Sequence, residues 1–289
     1  MAKKRKAFLH VGLDDGSGDF VGGALGRHRR SLHELGISCP AESGEEMFRA
    51  ALEMLRTHQD WGYRRSEVEG AWTGVWRRAE KEKGRNDVLV SQTQLAAARP
   101  EQVDLALDAL GAFQVHVVLT AQAPDAWTVP GDPGHDLGSV LERWAGAVKH
   151  ERVHVVVGSD RQQVWKRLGK VVGFGTSSLP LDDVADPPRA RPPHLASPAR
   201  ANTLQVLGRG WAELLAQSTY AVVGDPTDLV PDTDRTGSAA VSATVTELAL
   251  NDALHEVERL TRRNESLELR VEALEKKRRK LKKKLEAVA

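Results

Sequence analysis

The amino-acid sequence predicts an α/β protein in which a parallel sheet lies between two layers of helices, followed by a long C-terminal coiled-coil helix. Three observations lead to this fold class. Short runs that are apolar at nearly every position alternate, within residues 1–222, with segments of helical periodicity. A stretch rich in Pro, Gly and Asp then predicts a flexible linker over residues 223–243. Residues 244–289 repeat apolar residues with the spacing of a coiled coil.

Four apolar runs of strand length predict the sheet, and they are residues 7–13, 87–91, 115–121 and 152–157. Apolar periodicity predicts helices over residues 20–36, 45–55, 63–83, 100–110, 137–148 and 201–218, with one more around 165–168. Strands that are apolar throughout are buried on both faces, which favours a parallel sheet covered by helices. Four tryptophans in the helices are expected to pack in the core: Trp72, Trp76, Trp144 and Trp165.

Composition excludes several classes of protein and of site. No run approaches the roughly 18 apolar residues of a transmembrane helix. Cys39 is the single cysteine, so the chain has no internal disulfide and no cysteine-based metal cluster. The N-terminus is basic and then apolar, but the apolar run is shorter than that of a signal peptide, and Asp14 and Asp15 follow it. A cytoplasmic protein is therefore expected.

The formal net charge of +1 conceals a separation of charge along the chain. Residues 276–284 (KKRRKLKKK) carry eight positive charges and residues 3–6 (KKRK) carry four, which leaves about −11 on the remainder (+1 minus 12). An acidic body is atypical of a nucleic-acid-binding surface. The basic run at the C-terminus is either solvated or a contact for an anionic surface.

The C-terminal heptads predict a parallel homodimer. With Leu250 at position a, the a positions are Leu250, Val257, Asn264, Val271, Arg278 and Leu285. The d positions are Ala253, Leu260, Leu267, Leu274, Leu281 and Val288. Valine at a with leucine at d favours two parallel helices, and Asn264 meets its own copy only when those helices are aligned. The alternative is a single amphipathic helix that folds back on the domain.

A strand, a Gly-rich turn and a helix follow one another over residues 7–36, which is the order used by phosphate-binding folds. The Walker pattern is absent because no lysine occurs between residues 13 and 35. The Rossmann pattern is incomplete because Val21 stands where the third glycine belongs, after Gly16 and Gly18.

Four segments resemble, in the same order, motifs of bacterial PAPS-dependent sulfotransferase-like proteins. Residues 10–13 (HVGL) with the following turn resemble that family's HVGLPKTGTT, which binds the 5′-phosphosulfate of PAPS. Residues 115–122 (VHVVLTAQ) resemble its VHVVLTAR strand, whose arginine holds the 3′-phosphate. Residues 144–157 resemble its WQESVKH segment and the next strand, and residues 201–204 (ANTL) resemble ANESL. The resemblance spans about residues 7–220 and implies a sulfotransferase-like, P-loop-like fold.

The chain departs from the family where the donor would bind. The loop carries Asp14, Asp15, Gly16, Ser17, Gly18 and Asp19 in place of the family's PKTGTT. Gln122 replaces the arginine of the 3′-phosphate site, and Thr93 replaces an acidic residue that often follows the strand at 87–91. These departures imply a degenerate donor site, so no cofactor, no catalytic residue and no metal ion are expected.

Several polar residues have simpler interpretations than a binding site. Asp14, Asp15 and Asp19 could form a cation site, but Asp19 is better explained as the N-cap of the following helix. His116 and His154 alternate with valine in central strands and are expected to be core histidines satisfied by the sheet. Ser91 has no G-x-S-x-G context, so a hydrolase triad finds no support.

Two functions follow from the resemblance and the departures. The first is a non-catalytic, sulfotransferase-like dimeric scaffold or regulator, a pseudoenzyme acting through a protein partner that the sequence does not name. The second is an active sulfotransferase that transfers the sulfuryl group of PAPS to a hydroxyl acceptor through an atypical donor site. That alternative would recruit Arg27, Arg29 or Arg30 to the phosphates.

Overall fold

The computed structural model describes residues 4–14, 19–82, 84, 86–125, 128–182, 184, 198–231, 271 and 276–279. Its strands are β1 (Lys6–His10), β2 (Ile37–Ser38), β3 (Asp87–Ser91), β4 (Gln114–Ala121), β5 (Val153–Val157) and β6 (Ala221–Val223). Its helices are α1 (Phe20–Arg27), α2 (Arg29–Glu34), α3 (Gly44–Leu55), α4 (Arg65–Val68), α5 (Ala71–Lys81), α6 (Pro100–Asp108), α7 (Leu137–Ala145), α8 (Arg161–Val172) and α9 (Pro198–Gln217).

The six strands form one parallel sheet in the order β2-β3-β1-β4-β5-β6. Side chains on one face pack against α3, α5, α6, α7 and α9. Those on the other face pack against α1, α2 and α8. The predicted α/β fold with a helix-covered parallel sheet is therefore confirmed, because the continuously apolar strands are buried on both sides.

The four tryptophans expected in the core are buried, each at 2% exposure or less. Two of them hold the helix layer in place through hydrogen bonds from their indole N–H groups as well as through the apolar surface that they bury. The indole of Trp72 donates to the carbonyl of Ala106, and the indole of Trp144 donates to the carbonyl of Leu95. Buried indoles with satisfied donors fix both the depth and the orientation of a helix.

Three of the predicted elements differ in extent from the observed ones. The predicted strand 7–13 ends at His10, because Gly12 adopts a positive φ of 66° that no strand continues through. The predicted helix 20–36 is two helices separated at His28, whose ψ of 13° is not helical. The predicted helix 63–83 is likewise divided, because Gly70 has a positive φ of 83° between α4 and α5.

The folded domain continues beyond the boundary predicted at residue 222. Strand β6 pairs with β5, with Val222 opposite Val155, and a short 3₁₀ helix at Pro226–Leu229 follows. Leu229 is fully buried, and its carbonyl oxygen lies so near Gly208 of α9 that an added Cβ would approach it to 2.3 Å. The predicted linker therefore cannot begin at residue 223, since residues 223–231 pack on the domain.

The predicted coiled coil falls almost entirely outside the described residues. Of that segment the structure describes Val271 and residues 276–279, which are helical and exposed in the single chain. In the described part of the chain, no helix combines the length and apolar character needed to cross a membrane.

Candidate functional site: the cleft at the carboxyl ends of β1, β3 and β4

The connections that leave β1 and β3 run in opposite directions along the sheet. From β1 it leaves through α1 and α2 on one face towards β2, and from β3 it crosses through α6 on the other face to β4. Loops that depart to opposite faces leave a crevice at the carboxyl ends of the strands, which is where open α/β sheets bind ligands. We call this crevice the β1 cleft, formed by the loops after β1, β3 and β4.

His10, the last residue of β1, lies beneath the loop that enters the β1 cleft. It is fully buried, and its two ring nitrogens bond to hydroxyls on the neighbouring strands. Nδ1 lies 2.8 Å from Oγ of Ser91, and Nε2 lies 2.9 Å from Oγ1 of Thr120. Burial lowers the pKa of His10 to about 3, so the imidazole is neutral at physiological pH and both nitrogens are occupied.

The backbone of Gly12 lies directly over this imidazole. A Cβ at position 12 would stand 2.9 Å from Cγ2 of Thr93 and 3.3 Å from both Nε2 of His10 and Oγ1 of Thr120. The positive φ and the close approach both require glycine. The loop after β1 therefore closes the His10 network off from the cleft.

The Ser91–His10 pair has the spacing of a nucleophile and its base but lacks the rest of that machinery. Ser91 is 8% exposed, and the partner on the far side of the imidazole is the Thr120 hydroxyl, not a carboxylate. An imidazole whose burial suppresses protonation is a poor base for a serine. We therefore interpret the network of Ser91, His10 and Thr120 as structural. Its only sign in the sequence is a histidine at the end of an otherwise apolar strand.

Asp19 does not cap α1 in the way the sequence predicted. It precedes the helix with helical dihedral angles (φ −61°, ψ −30°), and its side chain makes no cap hydrogen bond. The carboxylate instead accepts a hydrogen bond from the Thr93 hydroxyl, in the 3₁₀ helix that follows β3. The N-cap interpretation is therefore wrong, because the Thr93 hydroxyl in the 3₁₀ helix after β3 binds the carboxylate in place of the helix end.

The remaining predicted loop residues are only partly described. Asp14 is half-buried, and its backbone N–H donates to the carbonyl of Gly134 at 3.1 Å. Residues 15–18 lie outside the described part of the chain. Gln122 follows the last residue of β4 and is half-buried at the same edge of the sheet. The structure thus brings Asp14, Asp19 and Gln122 to one end of the sheet.

The β1 cleft is acidic. Residues 11–19, 92–94 and 122–125, which follow the three strands, contain four aspartates and no lysine or arginine. Arg161 of α8 donates to the carbonyls of Leu181 and Val184 at 2.6 and 2.9 Å, and its guanidinium lies over the Phe20 ring. This arginine holds the segment after α8 against the helix layer.

The three arginines considered for an active sulfotransferase do not lie in the β1 cleft. Arg27, Arg29 and Arg30 line a separate groove beside β2, whose lining includes none of the loop residues after β1. The structure therefore does not support their recruitment to a donor phosphate in the β1 cleft.

His116 and His154 bond to each other, not to the sheet backbone. Nδ1 of His116 lies 2.9 Å from Nε2 of His154, and the two rings stack at 5.2 Å. Burial lowers the pKa of both imidazoles, that of His116 to about 4. His150, four residues before His154, does not join this pair, and its Nδ1 lies 3.1 Å from Oγ1 of Thr219. Within the described residues no group of three or more His, Cys, Asp or Glu is placed to hold a metal ion.

Comparison with known proteins gives one distant structural likeness. No protein-family profile matches the chain, and no curated protein matches it either. A crystal structure of a sulfotransferase from Alicyclobacillus acidocaldarius is similar, with 15% sequence identity and a TM-score of 0.44, over 75% of this chain and 96% of that one. At this identity and TM-score the likeness assigns the chain to no family.

Proposed function

We propose that this protein is a non-catalytic, sulfotransferase-like scaffold or regulator that acts as a dimer through a partner. The observation that carries the proposal is the chemistry of the β1 cleft. Its loops supply aspartates where an anionic donor would need lysine or arginine, and its buried imidazole is satisfied by Ser91 and Thr120. A cleft of this kind repels a phosphosulfate, and its buried imidazole is not placed to exchange a proton with a ligand.

The motif order supports the sulfotransferase-like part of the proposal. The HVGL segment ends β1 and opens its loop, the VHVVLTA segment forms most of the adjacent β4, and ANTL lies in α9. The first two motifs therefore meet at the carboxyl ends of β1 and β4. The resembled family holds the two phosphate ends of PAPS at this end of the sheet. Gln122 stands at the place of the arginine in that arrangement.

PAPS is expected to bind no more tightly than the millimolar range. Exchanging a lysine for a carboxylate about 6 Å from a phosphate is worth about 3 kcal/mol for each of the two interactions at an effective dielectric near 20, and solvent screening reduces the sum to about 3 kcal/mol. Loss of an arginine contact at position 122 adds about 2 kcal/mol. Isothermal titration with PAPS and with adenosine 3′,5′-bisphosphate is the test. A dissociation constant below about 50 μM would contradict the non-catalytic proposal and favour the active-transferase alternative.

A gain-of-function variant sharpens this test. Asp15→Lys/Gln122→Arg restores the two family cations, and we expect it to bind adenosine 3′,5′-bisphosphate at least about 10-fold more tightly than the native chain. Asp104→Lys/Gln217→Arg makes the same change in net charge on exposed positions of α6 and α9. Equal gains in the two variants would mean that net charge alone, not a donor site, governs binding.

The dimer is expected to depend on residues 244–289. A chain ending at Ala240 retains the α/β domain, including residues 223–231, and removes the predicted heptads. Light scattering should give a dimer for the full chain and a monomer for the shortened one, because the shortened chain lacks the a and d positions. A full chain that is monomeric at micromolar concentration would contradict the coiled coil, and a dimeric shortened chain would place the interface elsewhere.

A further inference from the structure

A groove of about 660 Å³ lies beside the β2 edge of the sheet, outside the β1 cleft. We call it the arginine groove, because its charged walls are Arg27, Arg29, Arg30, Arg78, Glu34 and Glu82. Helices α1 and α2 form one wall and α5 the other, and the chain after β2 forms the floor. A concavity of this volume has the size of ordinary small-ligand sites.

The break between α1 and α2 sets how the arginines are presented. α1 ends at Arg27 and α2 begins at Arg29, and the intervening His28 bonds through Nε2 to the carbonyl of Pro180 at 2.7 Å. That bond ties the bend to the segment after α8. Arg29 and Arg30 consequently belong to a new helix axis, and they face the groove together with Arg27 from the preceding one.

Cations exceed anions in the arginine groove. Four arginines stand against two glutamates, and Glu82 is already engaged by Arg5 at 3.6 Å, by the Ser38 hydroxyl and by His33. Arg78 pairs with Glu46, which lies outside the lining, and Arg30 pairs with Glu34 at 3.5 Å within it. Arg29 is exposed and, among the residues that the structure describes, takes part in no ion pair. Against a body with a charge of about −11, this groove is a local positive region.

The floor of the groove adds no negative charge. Burial raises the pKa of the Cys39 thiol to about 12, so the sulfur remains a neutral thiol at physiological pH. The carbonyl of Pro40 accepts a hydrogen bond from Nε of Arg78, which holds that guanidinium at the wall. An anion in the groove would meet arginine donors at its walls and the neutral Cys39 thiol at its floor, beside the Glu82 carboxylate that already accepts from Ser38.

We propose that the arginine groove binds a small polyanion bearing phosphate or sulfate ester groups. Guanidinium groups donate paired N–H bonds to such tetrahedral oxyanions, and several of them around one concavity favour a ligand with more than one charged group. The proposal concerns residues separate from the β1 cleft and does not depend on the proposed function.

Isothermal titration at low ionic strength tests the proposal. The protein is the full-length chain with its eight basic residues in 276–284 replaced by Gln, so that the tail does not add binding of its own. Inorganic pyrophosphate and a heparin-derived disulfated disaccharide are the probes, and they distinguish phosphate from sulfate ligands. We expect at least one to bind with a dissociation constant below about 1 mM, and to weaken as salt is added.

Three variants locate the binding. Arg29→Gln/Arg30→Gln should weaken it about 10-fold or more. Gly26→Leu leaves the charge unchanged and puts a side chain into open space at the groove, so it should weaken binding by occlusion. Lys166→Gln/Arg209→Gln, at exposed positions of α8 and α9, is the matched loss of two charges and should leave affinity within about 2-fold.

The outcomes separate this proposal from the one about the β1 cleft. The arginine groove is not a ligand site if neither probe binds. The same conclusion follows if the probes bind the native groove and the Arg29→Gln/Arg30→Gln variant with equal affinity. Adenosine 3′,5′-bisphosphate that binds the native chain and that variant with equal affinity does not bind at the arginine groove, and such binding bears on the proposed function instead.

Discussion

Lowering the pH from 7 to 4 is expected to cost the α/β domain about 3 kcal/mol of unfolding free energy through His10 alone. The folded-state pKa of about 3 lies below the unfolded value of 6.5. Between these values the unfolded chain binds a proton that the folded chain does not, so stability falls as the pH falls. The slope is about 1.4 kcal/mol per pH unit, and it vanishes below about pH 3. His116, with a pKa of about 4, acts in the same direction.

Replacement of the imidazole isolates its share of this slope. In His10→Gln the amide can still meet a hydroxyl partner but does not titrate, so the slope between about pH 6 and pH 4 should fall by about 1.4 kcal/mol per unit. Urea unfolding at a series of pH values gives the slope, whatever the stability of the variant at pH 7. His33→Gln, at a 60% exposed side chain, is the control for loss of an imidazole. Identical slopes for His10→Gln and the native chain would show that the His10 network does not govern acid stability.

Gly12→Ala is expected to destabilise the domain by about 2–4 kcal/mol, because two costs add at one position. The backbone stands at a φ of 66°, which an L-residue adopts only at a cost. The new Cβ would also stand 2.9 Å from the methyl carbon of Thr93, with His10 and Thr120 close behind it. Packing of the β3 and β4 ends leaves little room to relax.

Two further variants separate the costs at Gly12. Gly131 also has a positive φ, of 89°, but an added Cβ there meets nothing within 4 Å, so Gly131→Ala reports the backbone cost alone. Thr93→Ser keeps the hydroxyl that bonds Asp19 and removes the crowding methyl group. The double variant Gly12→Ala/Thr93→Ser should recover about 1 kcal/mol relative to additivity. Equal losses in Gly12→Ala and Gly131→Ala would mean that the loop after β1 does not cover the network.

The long buried strands were predictable from sequence, and the short edge strands were not. β3, β4 and β5 are apolar at most positions, and such runs alternating with helical segments favour a sheet covered on both faces. β2 and β6 have two and three residues, too few for a periodicity to emerge. Their position is fixed by pairing with strands distant in sequence, and such pairing leaves no local pattern.

The position of the β1 cleft could be predicted from the sequence, but the interactions among its residues could not. The strand–turn–helix order and the acidic loop are local and were visible in residues 7–36. The bond from Thr93 to Asp19 joins residues 74 apart, and the bond from His10 to Thr120 joins residues 110 apart. The arginine groove has the same origin, since α5 supplies Arg78 to a wall opposite Arg29.

The central position of β1 has a consequence for biosynthesis. This apolar strand leaves the ribosome before both of its neighbours in the sheet, since Ser91 on one neighbour follows His10 by 81 residues and Thr120 on the other by 110. At about 5–20 residues per second, β1 waits about 4–16 s for its first neighbour. During that interval both edges of β1 can pair with nascent chains on adjacent ribosomes. Chaperone binding to β1 is therefore important for the yield of folded protein.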